Sequence, residues 1–140
     1  MEIIANAVQT VEDNQNVLFT DTVIGGSYSI IHRDGSGLVT LRGLTNTQCR
    51  ARFRVSFGAN VALPTGSEIV PISLALTIDG EPVASTTMIY TPVATAEYGN
   101  IFSSVFLDVP RSCCSRVSVT NTTDVPVDVQ NANLIVERVA

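Results

Sequence analysis

A strict two-residue alternation runs through RARFRVSF, residues 50–57, and it limits the fold more than any other feature of the chain. Ala51, Phe53, Val55 and Phe57 fall on one side; Arg50, Arg52, Arg54 and Ser56 fall on the other. Side chains alternate across a strand and repeat every 3.6 residues around a helix. The stretch is therefore a strand with one dry face and one polar face. No segment carries the spacing of a long helix.

The same pattern recurs between turn signals. EIIANAVQT is closed by EDNQN, and NVLFTDTVI, YSIIHRD and LVTLRG are separated by GG and GSG. Residues 50–63 end at PTGS. In SEIVPISLALTIDGEPVAST, Val70, Ile72, Leu74, Leu76 and Ile78 make one apolar face, opposite the small Ser73, Ala75 and Thr77. Asp79-Gly80 then predicts a tight hairpin, because both positions tolerate positive φ. IFSSVFLDVP puts Ile101, Val105, Leu107 and Val109 on one face and the two large aromatics Phe102 and Phe106 on the other, which predicts a second dry surface. RSCCSRVSVTNTTD and VPVDVQNANLIVERVA close the chain. Roughly eight to ten short strands, with turns every ~8–12 residues, predict an all-β antiparallel sandwich of jelly-roll type. At 140 residues, with no linker and no repeat, residues 1–140 read as a single domain, with 1–16 either a docking segment or the first strand.

Charged residues are 15% of the chain, against roughly 25% in ordinary soluble domains. All eight basic residues are arginines, and the net charge is −5. Scarce charge predicts a surface partly covered by copies of the same chain. The acidic balance argues against nucleic acid as a partner, which needs a basic footprint. No apolar run approaches the roughly 18 residues that span a membrane, so no membrane partner is expected. The first residues, MEIIANAVQTVED, carry early acids and no basic region, which predicts synthesis in a cytosol without a secretory leader.

Chemistry-bearing patterns are sparse. Cys49, Cys113 and Cys114 form no paired framework, and with His32 the only histidine there is no zinc spacing. They read as small apolar side chains near a core or an interface, with Cys49 able to meet either Cys113 or Cys114. His32-Arg33-Asp34 lacks the logic of base, nucleophile and orienter, and reads as a strand end with an Asp-led turn. Asn121-Thr-Thr matches a glycosylation acceptor but reads as a turn. Asp79, Asp108, Asp124 and Asp128 are too dispersed for a calcium loop. DGSGL lacks the lysine of a phosphate loop. The expectation is a non-enzymatic protein with no catalytic residue, no metal site and no cofactor.

Three stretches, RFRVSFGANVAL, SLALTIDGEPVAST and the terminal NANLIVERVA, resemble the bacterial tumour-necrosis-factor-like jelly roll over roughly residues 17–140. This domain forms the C-terminal heads of collagen-like spore-surface glycoproteins and of related phage proteins. The chain departs from that pattern in lacking a Gly-X-Y stretch and in carrying SCCS. The resemblance implies a compact homotrimer, with one sheet of each sandwich packed around a threefold axis. It further implies a structural head on a particle: a phage capsid or fibre at the virion surface, or alternatively a spore-surface or fibre head that binds a carbohydrate or receptor. The expected subunit interface comprises Arg50, Arg52 and Arg54, partnered by acids such as Glu137 or Asp108, together with Phe102 and Phe106. The expected recognition loops are Glu12–Gln15, Thr91–Asn100 and Asn121–Val125, with Tyr90 and Tyr98 placed to stack on a cell-surface glycan.

Overall fold

Alternation becomes burial along the longest strand. In Arg50–Ala62, the side chains of Ala51, Phe53, Val55, Phe57, Ala59 and Val61 all point into the core, and the residues between them are half-buried or exposed, until the strand ends on the buried Ala62. The computed structural model describes residues 1–140 as twelve strands and one short 3-10 turn, Ala84–Thr86. The strands are β1 (Glu2–Ala5), β2 (Gln9–Val11), β3 (Asp21–Ile24), β4 (Ile30–His32), β5 (Val39–Arg42), β6 (Arg50–Ala62), β7 (Ile72–Ile78), β8 (Glu81–Pro82), β9 (Met88–Tyr90), β10 (Gly99–Pro110), β11 (Cys114–Asn121) and β12 (Val127–Arg138). They form two antiparallel sheets. Sheet A has the order β10-β6-β12-β1-β3, with β2 also on β12; sheet B has the order β4-β5-β11-β7-β8, with β9 also on β7. Neighbours in space are mostly distant in sequence, and the arrangement is a jelly roll.

The two inner faces meet in one apolar core. Phe19, Phe53 and Phe57 are its largest members, joined by Leu41, Leu74, Leu76 and Leu134. The Phe19 and Phe57 rings pack edge to face, 6.2 Å apart, an orientation favoured by the aromatic quadrupole. Asp79 and Gly80 take φ of 52° and 85° and close the β7–β8 hairpin, as a type I′ turn requires.

Three expected strands are drawn differently. EIIANAVQT is two strands, β1 and β2, both on β12. The break between them lies beside a bulge in β12, where Asn131 has a φ of 55° and donates its amide to Asn6. Residues 2–5 and 9–11 are thus built into sheet A, so the amino-terminal segment supplies its first strands. NVLFTDTVI is a strand only from Asp21 onward. Val17 donates its amide to Val119 in sheet B, and three residues later Thr20 donates to Ile4 in sheet A. The chain is changing sheets there, so it stays extended and buries Val17 and Phe19 without belonging to one ladder. LVTLRG begins its ladder at Val39, leaving Leu38 exposed.

For the cysteines, the expectation of a place near the core fails. All three are free and exposed, and none lies in the core. The reason is local: Cys49 precedes the first residue of β6, Cys113 sits in the turn after β10, and Cys114 opens β11 on its outward side.

Candidate functional site

The outward face of sheet A is where the singled-out side chains meet. Register places Phe106 opposite Arg54 and Arg54 opposite Glu137. It also places Asp108 opposite Arg52, and Phe102 opposite Gly58. Alternate side chains along a strand stand ~6–7 Å apart. The three arginines therefore make a row of like charge that needs acids from the flanking strands.

Those acids are present. Arg52 forks onto Asp108, with Nε donating to Oδ1 at 2.7 Å and Nη2 to Oδ2 at 3.1 Å. Arg50 Nε donates to the same carboxylate at 2.9 Å. Arg54 pairs with Glu137. The hydrogen bond from Arg52, followed by that from Arg50, brings the Asp108 carboxyl down from 3.8 to about 2. The same hydrogen bond pushes the Arg52 guanidinium up. Three arginines against two carboxylates leave one excess positive charge on this face. The row is thereby spent within the chain and does not form an open comb for phosphate.

Phe102 and Phe106 lie outward on β10 and remain 65% and 63% exposed. The Phe102 ring lies across Gly58, with an edge carbon 3.5 Å from where a Cβ would stand. A niche of about 250 Å³ opens between Phe106, Arg52 and Asp108. On β12, Ile135 adds a third exposed apolar side chain to the face, in register with Ser56. Ser56 and Ser104 share a hydrogen bond at 2.9 Å. Sequence reading missed Ile135 and this serine pair, although the alternation Asn133, Ile135, Glu137 was visible in the last strand.

The other candidates lie elsewhere. Tyr90 packs on the core edge with its ring over Gly99, so close that a Cβ there would fall 2.4 Å from it. It props β10 and stands half-buried. Tyr98 stands half-exposed, its phenol pushed up by burial and by Asp128. Gly99 and Asn100, expected in a loop, already belong to β10. Asn121 is wholly buried. Its amide nitrogen donates to the carbonyls of Val11 and Val125, each at 3.0 Å, and its oxygen accepts from Thr123 at 2.9 Å. The acceptor motif is therefore a structural clasp that joins two of the expected recognition loops. His32 is sealed as well. Its Nε2 donates to Ser36 O at 2.9 Å, its ring packs on Phe19, and Nδ1, 3.8 Å from Asp34, has no hydrogen-bond partner.

No protein-family model and no curated protein matches the chain. Among solved structures, the globular domain of a zebrafish complement 1qA protein superposes with a TM-score of 0.64 at 12% identity, covering 96% of this chain and 93% of that one. This likeness shows the fold, a jelly roll of the complement-1q and tumour-necrosis-factor type. A family 35 carbohydrate-binding module from Cellvibrio japonicus covers 100% of this chain and 98% of its own at 9% identity, with a TM-score of 0.43. The sugar-binding C-terminal domain of EclA covers 95% and 80% at 13% identity, with a TM-score of 0.40. Likeness at that level carries nothing about what this chain binds.

Proposed function

We propose that the chain is a non-enzymatic assembly head. In this reading it associates with two copies of itself through the outer face of sheet A and decorates a larger particle, such as a phage capsid or head fibre. The observation that carries the reading is the exposure of Phe102 and Phe106 on a face whose charges are already paired. Two aromatic side chains standing in water are the kind of anchor that dominates contact energies. The arginines and carboxylates beside them are already paired within the chain. Burying this face strands at most the one excess positive charge, where an unpaired row would strand three, and so lowers a cost that opposes association.

Light scattering on the eluting peak of a sizing column tests this. The expected mass is three times the 14.9 kDa of the chain. A species of 14.9 kDa alone, at concentrations well above micromolar, removes the reading. The particle is tested by gene neighbourhood. Capsid and portal genes beside this one fit a virion surface, and spore-coat genes turn the proposal to a spore surface.

A further inference from the structure

The opposite side of the molecule carries a second feature that assembly through sheet A does not use. Along the outward face of sheet B runs a trough of about 750 Å³, inside the roughly 300–1,000 Å³ of small-molecule sites. Strand β11 forms its floor. β7 and the Asp79–Pro82 hairpin flank one edge, and the segment around Asn16, bridged to Thr120, flanks the other. Side chains that point away from a core are ordinarily long and charged. Here they are Thr77, Ser118 and Thr120. Thr77 Oγ1 donates to Thr120 Oγ1 at 2.8 Å, and Thr120 Oγ1 donates on to Asn16 Oδ1 at 2.8 Å.

Two groups in the trough have no partner within the protein. Ser118 is only 4% exposed, yet its hydroxyl makes no hydrogen bond and opens into the trough. The oxygen itself stays open to solvent, so it can exchange water for a ligand hydroxyl. The second is Arg116, whose guanidinium lines the same trough without an ion pair. The nearby carboxylate, Asp79, is occupied locally, accepting the Arg116 backbone amide at 2.9 Å.

The chemistry of the lining selects the ligand. Only two of twelve lining residues are apolar, which disfavours a lipid or an aromatic molecule. A polyanion such as nucleic acid needs a row of cations, and the trough has one, with Asp79 beside it. A peptide strand needs a free ladder edge, whereas β11 is paired on both sides. Hydroxyls and amides that both give and accept match a ligand made of hydroxyls, and one free guanidinium matches one carboxylate. We infer that the sheet B trough binds an acidic oligosaccharide, with Ser118, Thr77, Thr120 and Asn16 engaging sugar hydroxyls and Arg116 holding the sugar carboxylate. The inference does not rest on the assembly reading, since the trough and the aromatic face lie on opposite sheets.

The test uses the full chain on an array of uronate-containing, sialate-containing and neutral oligosaccharides, followed by calorimetric titration with the strongest acidic hit. Acidic glycans are expected to bind in preference to neutral ones. Arg116→Gln is expected to weaken binding by about tenfold or more, the scale of a charge-assisted hydrogen bond. Ser118→Ala should weaken it several-fold. Thermal unfolding of each variant is expected to match the parent, so that lost binding is not lost fold. Silence across the array, equal binding of neutral glycans, or binding indifferent to both substitutions overturns the assignment.

Discussion

At the scale of single residues, two polar side chains hold structure that apolar packing cannot. Asn121 satisfies carbonyls from two loops and one amide of its own turn while fully buried. Asn121→Ala strands those groups away from water and is expected to cost about 2–3 kcal/mol, read from urea unfolding. Asp108 acts through its charge. Its carboxyl ionises at about 2 in the folded chain and near 3.8 otherwise. A depressed value means that its contribution is complete above pH ~4 and is lost as pH falls through about 2. Asp108→Asn should therefore flatten the fall in melting temperature across that window and leave the slope near neutral pH unchanged. An identical acid profile for parent and variant would show that the lattice contributes nothing to the fold.

Elements are where sequence patterning was most and least informative. Strands with one dry face were legible: β6 and β10 follow their alternation of residue type, and β12 does so on either side of its bulge, whereas β7 buries Ala75 and Thr77 along with its apolar face. So was the Asp79-Gly80 turn, since local φ demands it. The crossing at Val17–Thr20 was not legible, because an extended apolar segment looks the same whether it pairs in one sheet or passes between two. Exposed cysteines were equally hidden, for apolarity says nothing of whether a residue closes a strand or precedes it. In the candidate site, the acids near the arginines could be named from composition and alternation. Ser118 and Thr120 of β11 could not be read as the floor of a trough, because its depth comes from neighbours far away in sequence. The join of β5 to β6 offers a sharp test at this scale. A Cβ on Gly43 would stand 2.0 Å from the backbone oxygen of Pro110, which cannot swing aside as a side chain can. Gly43→Ala is expected to destabilise by about 1–3 kcal/mol, seen as a lower midpoint of chemical unfolding.

At the scale of the whole molecule, the two sheets present unlike surfaces, one aromatic and ion-paired, the other a hydroxyl-lined trough. If copies meet through sheet A, the double change Phe102→Ser with Phe106→Glu should convert the large species to single chains on a sizing column, with the far-ultraviolet β signal retained. Retention of the large species by a folded double variant would move the contact to another surface. The strand order also has a temporal consequence. β12 lies between β6 and β1, and the chain makes it last. During synthesis on a ribosome, β6 can therefore meet β10 as soon as both have emerged, whereas β1 has no neighbour in the middle of its sheet. β1 can pair early with β3, but the seam that joins it to β6 closes only after translation of β12.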